Sequence, residues 1–73
     1  MISQKFLDSL VGLELSDAAE LIHNNRYEVE IYSVGDIIPA IAKSNMVLLF
    51  CKKVNRCKRV IQTCPGDPLE LVN

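Results

Sequence analysis

The connection between two strand-like runs of this chain is apolar where a connection is expected to be polar. The two runs cover residues 27–34 and 46–53, and residues 35–45 between them contain three isoleucines. Connecting segments normally lie at the surface, so an apolar one either packs onto its own fold or is presented to a partner. Both the fold and the function of the chain depend on which of these happens.

Chain length limits the fold to one small core. A chain of 73 residues forms one domain, which buries only about 60% of the surface that its unfolded chain exposes. With 49% hydrophobic and 23% charged residues, the composition is that of a globular protein rather than a disordered one. We expect residues 1–66 to form a single α+β domain and residues 67–73 to form a C-terminal tail.

Apolar runs and cysteines bear on the compartment. No run reaches the length that spans a bilayer, and the first eight residues lack the apolar region of a signal peptide, so we expect no membrane contact. Three cysteines leave at least one thiol unpaired in a monomer, which is typical of a reducing compartment and predicts a cytoplasmic protein. The spacing of Cys51, Cys57 and Cys64, even taken together with His23, matches no usual zinc site. We therefore predict no metal and no cofactor.

One helix is predicted over residues 16–25. Ser16 or Asp17 can accept hydrogen bonds from the first free backbone N–H groups, and Asn24 with Asn25 favours a stop. The apolar positions recur at helical spacing, so one side of the helix faces the core. That side consists of Leu15, Ala18, Leu21 and Ile22.

Two strands and a hairpin follow the helix. Residues 28–31 alternate between acidic and apolar side chains, so residues 27–34 are predicted to form a half-buried strand. Residues 46–51 are apolar on both faces, as expected for the centre of a sheet. Asn55 signals a turn, after which residues 57–63 return as an antiparallel partner.

The hairpin carries a basic cluster, with five Lys or Arg residues among the eight residues 52–59. Such a hairpin end is typically a solvated tip that discourages edge aggregation. No aromatic residue interleaves the cluster to stack bases, which argues against a nucleic-acid partner. The cluster consists of Lys52, Lys53, Arg56, Lys58 and Arg59.

This order of elements resembles the potato inhibitor I family of small serine-protease inhibitors, which includes the eglin-like proteins. The resemblance spans most of residues 7–66, and the spacing between the two strand-like runs matches that of the family. Its landmarks are Leu10-Val11-Gly12 before the helix, Ala18 to Ile22 within it, Val34-Gly35 entering the loop and Val47-Leu48-Leu49-Phe50 leaving it.

What the resemblance implies is one short helix packed on a small mixed sheet, a long exposed loop joining two parallel strands, and a C-terminal β-hairpin. In the family that loop enters a protease cleft as a substrate-like segment, and its rigidity avoids the cost of ordering a flexible chain. Carried over by position, Ala40–Ile41 is the scissile bond, preceded by Ile38 and Pro39. A small Ala40 side chain implies an elastase-like target.

Several positions depart from the family pattern. Arginines two residues apart commonly brace the loop from below, and Met46 and Leu48 stand there instead. The acidic or threonine partner that is common beside the scissile bond is also missing, and Ser33 replaces the usual proline before Val-Gly. The charged brace of the family is therefore absent from this chain.

Met46 and Leu48, which stand where the family has its bracing arginines, lie on one face of the predicted exit strand. Met46, Leu48 and Phe50 alternate with the apolar residues of the other face, so both faces need a cover. Ile37 and Ile41 can supply it by folding down, which would gain about 3–6 kcal/mol before entropy is subtracted. Alternatively, residues 39–43 form a short helical turn or an extra strand in an ordinary core.

Nothing in the sequence indicates an enzyme, since no histidine accompanies a plausible nucleophile and no glycine-rich phosphate loop occurs. We predict no catalytic residues. The favoured hypothesis is a non-catalytic interaction or assembly module that binds a protein partner or a second copy of itself. The alternative is a serine-protease inhibitor that presents residues 38–42. The candidate binding residues are Ile37, Ile38, Pro39, Ala40, Ile41 and Ala42 in the loop and Met46, Leu48 and Phe50 on the exit strand.

Overall fold

The computed structural model describes residues 1–38 and 43–72. Within these residues it has two helices, a two-stranded sheet and a three-stranded sheet. The predicted α+β class is confirmed, and a shorter helix is added ahead of the expected one. The elements are β1 (Ile2–Ser3), α1 (Gln4–Leu10), α2 (Leu15–Asn24), β2 (Glu28–Ser33), β3 (Met46–Val54), β4 (Cys57–Pro65), a 3-10 turn (Pro68–Glu70) and β5 (Leu71–Val72).

The larger sheet has the strand order β2-β3-β4. Strands β2 and β3 are parallel, and their register runs from Glu28 opposite Met46 to Ser33 opposite Cys51. Strand β4 returns antiparallel to β3 through a turn at Asn55 and Arg56, both with positive φ. Two positive φ values are those of the hairpin turn whose twist matches its strands.

Helix α1 was not among the predicted elements. It begins after Ser3, whose side-chain oxygen accepts a hydrogen bond from the backbone N–H of Phe6 at 3.0 Å. Leu7 and Leu10, three residues apart, are both buried. Seven residues are too few for the 3.6-residue period to stand out, so this helix depends on its packing more than on its pattern.

Helix α2 begins one residue before the predicted start. Its N-cap residue is Glu14, which is extended and makes no side-chain capping bond, so the caps predicted at Ser16 and Asp17 are wrong. Both residues lie inside the first turn, because Leu15 is already needed to pack against the core. Of the predicted apolar face, Ala18 and Ile22 are fully buried, Leu15 is half-buried and Leu21 is 41% exposed.

The end of α2 is closed by backbone hydrogen bonds. The N–H of Arg26 donates to the carbonyl of His23 at 2.9 Å, and the N–H of Tyr27 donates to that of Ile22 at 3.1 Å. This is the Schellman arrangement, which requires a left-handed residue after the cap. Arg26 takes that conformation with φ of 64°.

The core lies between the two helices and one face of the larger sheet. On β3 that face consists of Val47, Leu49 and Cys51, which are 4% exposed or less, and we call it the helix-facing surface. The alternation of a strand places Met46, Leu48 and Phe50 on the opposite face. The helices and β4 complete the core with Leu7, Leu10, Ala18, Ile22 and Val60, and β1 adds Ile2.

The C-terminal residues pack on the N-terminal ones. Strand β5 pairs in parallel with β1, with Leu71 opposite Ile2, and Leu71 contacts the core. The 3-10 turn before it is capped by Asp67, whose side chain accepts from the N–H of Leu69 at 3.0 Å. Leu69 itself is 92% exposed.

Candidate functional site

The loop 34–45 joins the carboxyl end of β2 to the amino end of β3. Because these strands are parallel neighbours, the loop has to return along the length of the sheet. Its residues 34–38 and 43–45 are described. The predicted scissile bond and the alternative helical turn or strand at 39–43 involve residues outside the described ones. Those residues are Pro39, Ala40, Ile41 and Ala42.

The entry end of the loop is a tight local turn. Gly35 has φ of 93°, a conformation that glycine adopts readily and a residue with a side chain resists. The Asp36 carboxylate accepts from the backbone N–H of Ser33 at 2.8 Å, and the N–H of Asp36 donates to the carbonyl of Ser33 at 3.1 Å. Three neighbouring residues therefore set the direction in which the chain leaves β2.

Two isoleucines follow this turn and have different surroundings. Ile37 is 95% exposed, so the expectation that it folds down onto the sheet is wrong. Ile38 is 42% exposed and lines a cavity with Met46 and Leu48. Ile38 therefore supplies part of the cover that Ile37 was expected to supply, and Ile37 is left in solvent. Val34, at the start of the loop, is also 57% exposed.

The sheet face beside the loop ends carries both apolar and polar side chains. The parallel register puts Tyr32 beside Phe50, and their rings stack with centroids 5.7 Å apart. Met46 is only 6% exposed, whereas Leu48 and Phe50 are half-buried. A cavity of about 90 Å³ remains between this face and the loop ends. We call the face, formed by Glu30, Tyr32, Met46, Leu48 and Phe50, the loop-facing surface.

Glu30 is the charged group of the loop-facing surface. Its carboxylate accepts from the Tyr32 hydroxyl at 2.6 Å and lies 3.3 Å from the Lys43 ammonium. The hydrogen bond from Tyr32, and next that from Lys43, lower the pKa of Glu30 below its ordinary value. The same bond raises the pKa of Tyr32. A carboxylate from β2 is thus tied to the exit end of the loop.

The exit end of the loop is held by distant residues. The backbone N–H of Lys43 donates to the carbonyl of Gly66 at 3.2 Å, and the N–H of Gly66 donates to that of Met46 at 2.7 Å. The N–H of Asn45 donates to the Glu70 carboxylate at 2.8 Å. At this end Met46 and Leu48 offer apolar contact, and the polar contacts come from Glu30, from the carbonyl of Arg26 and from the C-terminal residues.

The five basic residues lie at the end of the hairpin formed by β3 and β4. They are exposed, with Lys52 opposite Arg59 and Lys53 opposite Lys58 across the strands. Neither of the two ion pairs found among the described residues involves them. Arg59 donates to the carbonyl of Gly12 at 3.1 Å. Apart from that bond, the hairpin has the exposed, solvated character that was predicted for it.

The three cysteines do not converge. Cys51 is buried on the helix-facing surface opposite Val60, whereas Cys57 and Cys64 are half-buried on β4. Cys51 lies opposite Val60, and not opposite Cys57, because the hairpin turns at Asn55 and Arg56. Burial raises the pKa of the Cys51 thiol. Within residues 1–38 and 43–72, no three His, Cys, Asp or Glu side chains are grouped closely enough to hold a metal ion.

Several residues of the site carry no signal in the sequence that links them to the loop. These residues are Glu30, Tyr32, Asn45, Gly66 and Glu70. The sequence Pro65-Gly66-Asp67-Pro68 breaks regular structure, but a turn signal does not say which part of the fold the redirected chain will contact.

Comparison with known proteins gave no match to any family model, curated protein or solved structure. None of the helices in the described ranges is both long enough and apolar enough to cross a membrane.

Proposed function

We propose that this protein is a small non-catalytic binding module whose loop 34–45 inserts apolar side chains into a hydrophobic cleft of a partner protein. Ile37 carries the proposal, because it is 95% exposed in a domain that has few apolar side chains to spare. Val34 and Ile38, 57% and 42% exposed, lie within three residues of it in the same loop. Three exposed apolar side chains in one short segment are the kind of surface that an interaction site presents.

Anchoring at both ends supports this function. The turn at Gly35 and Asp36 fixes the entry end, and hydrogen bonds to Gly66 and Glu70 fix the exit end. A segment held at both ends loses less conformational entropy on binding than a free one, which favours affinity. Met46 and Leu48 line a cavity with Ile38 and Lys43, so apolar side chains of the sheet lie beside both described ends of the loop.

The test is a comparison of Ile37→Glu with Leu21→Glu, an exposed aliphatic position on α2 that lies outside both the loop and the C-terminal segment that contacts it. A partner captured by the wild type should be retained by Leu21→Glu and bind Ile37→Glu about 10- to 100-fold more weakly. Sedimentation of the same three proteins tests whether the partner is a second copy. If neither a captured protein nor self-association depends on Ile37, the proposal fails.

A second candidate function, serine-protease inhibition, is favoured by the parallel pairing of the strands on either side of the loop. Six residue pairs join β2 to β3. Cleavage at Ala40–Ile41 would leave both new ends tied to the same sheet, which holds the products in place and favours resealing. Ala40 would occupy the small primary pocket of an elastase-like enzyme.

This candidate is tested by titrating the reduced protein against elastase, subtilisin and chymotrypsin, with mass spectrometry after long incubation. Tight inhibition with slow cleavage at Ala40–Ile41, weakened by Ala40→Asp but not by Leu21→Asp, is the expected result. Rapid digestion within residues 34–45, or no inhibition, would rule the inhibitor out. The wider binding proposal would then rest on the Ile37 comparison alone.

We also propose that the protein acts in a reducing compartment such as the cytoplasm. Three free thiols, of which Cys51 is buried, support this compartment. Mass measurement of the protein purified from its source under alkylating conditions should find all three thiols reduced.

A further inference from the structure

The C-terminal residues after β4 cross directly under the exit end of the loop. Gly66 is bonded on both sides, accepting from the N–H of Lys43 and donating to the carbonyl of Met46. A Cβ placed on Gly66 would lie 2.5 Å from the Lys43 carbonyl oxygen and 2.8 Å from the Met46 Cβ. The two chain segments are therefore in backbone contact, with no room for a side chain between them.

Glu70 makes the second contact from the same segment. Its carboxylate accepts from the backbone N–H of Asn45 at 2.8 Å, across 25 positions of sequence. Asn45 is the residue before β3 and has φ of 58°, and its side-chain amide donates to the carbonyl of Arg26 at 2.9 Å. A charge-assisted bond to this N–H fixes the point at which the loop becomes a strand.

Glu70 is itself held on both sides. It is the last residue of the 3-10 turn that Asp67 caps, and its N–H donates to the carbonyl of Asp67 at 3.0 Å. Strand β5 begins at the next residue and pairs with β1. The carboxylate therefore reaches Asn45 from a position that two independent contacts define, unlike a free surface side chain.

We propose that residues 66–70 are the brace that fixes the exit end of the loop, with Glu70 as its positioning residue. The brace supplies polar contacts at an end of the loop where the side chains of Met46 and Leu48 offer only apolar ones. The brace fixes only the exit end of the loop, because the turn at Gly35 and Asp36 fixes the entry end. Its value to binding rests on the proposed function, but its existence does not.

The brace is tested on the isolated chain by amide hydrogen exchange. Glu70→Ala should speed exchange of the Asn45 N–H by about tenfold or more, with little change at the entry-end amides of Ser33 and Asp36. Glu70→Gln keeps an acceptor oxygen and should restore part of the protection. Glu20→Ala removes an exposed acid from α2 and should change none of these rates.

Global stability is measured on the same variants, so that local opening is separated from unfolding. If Glu70→Ala speeds exchange equally at Asn45 and at core amides such as Leu49, the brace proposal is overturned. It is also overturned if the Asn45 N–H exchanges at the same rate in Glu70→Ala as in Glu20→Ala. Should Glu70→Ala fail to fold, the wild type still decides, because an Asn45 N–H exchanging like a free amide contradicts the proposal. Since no partner is used, loss of the brace and loss of the binding function are distinguishable.

Discussion

The two faces of β3 are built from neighbouring residues yet differ in how completely they are closed. On the helix-facing surface Val47 and Leu49 are fully buried among apolar side chains. On the loop-facing surface Leu48 and Phe50 are half-buried beside a carboxylate, a hydroxyl and a cavity of about 90 Å³. One strand thus divides two tasks: one face holds the domain together, and the other supports the loop.

The largest expected effect separates the two faces directly. Leu49→Ala should lower the free energy of unfolding by about 2–5 kcal/mol, since it empties a fully buried site. Leu48 is half-buried beside an existing cavity, so Leu48→Ala should cost only about 1–2 kcal/mol. Urea denaturation of both variants measures the difference. Equal losses would show that the loop-facing surface belongs to the core as fully as the other face does.

Gly66→Ala should lower the free energy of unfolding by an intermediate amount, and the structural change should be greatest on the loop-facing surface. The added methyl group meets the Lys43 carbonyl and Met46, so one segment has to move, at a cost of about 1–3 kcal/mol. Chemical-shift changes should concentrate at residues 43–46 and leave Val47 and Leu49 nearly unchanged. Changes spread evenly over both faces would contradict the separation.

The smallest effect concerns the polar contacts of the loop-facing surface. Tyr32→Phe keeps the ring against Phe50 but removes the hydroxyl that donates to Glu30, so the pKa of Glu30 should rise toward its ordinary value. Lys43→Met should also raise this pKa, because the Lys43 ammonium lowers it both by its hydrogen bond and by its charge. An NMR titration of the Glu30 carboxyl group measures both variants, and an unchanged pKa in Tyr32→Phe would contradict the assignment.

The sign of the pH dependence follows from the lowered pKa of Glu30. The contacts of the ionised carboxylate add stability above its ordinary value of 4.5, and this stability is lost as the pH falls from there through the lower folded pKa. Tyr32→Phe should therefore lose less stability than the wild type over that acidic window. The control is Tyr27→Phe, which also removes a hydroxyl but leaves Glu30 untouched.

Local patterns in the sequence determined helix α2, strand β2, the apolar strand β3 and the turn at Asn55, because each is specified by neighbours within a few residues. The entry end of the loop belongs to the same class, since Gly35 and Asp36 act on Ser33 nearby. Helix α1 was missed because its seven residues carry too short a pattern. The parallel pairing was expected only through the family resemblance, since periodicity does not reveal strand order.

Tertiary structure alone decided which isoleucine covers the sheet and what holds the exit end. Ile37 and Ile38 are indistinguishable in sequence, and only the direction of the chain after Gly35 leaves one in solvent and the other over Met46. Glu70 and Asn45 are 25 positions apart, so nothing local links them. Composition and spacing indicate which side chains need to be covered or to find a hydrogen-bond partner. The three-dimensional path of the chain decides which residue covers or bonds them.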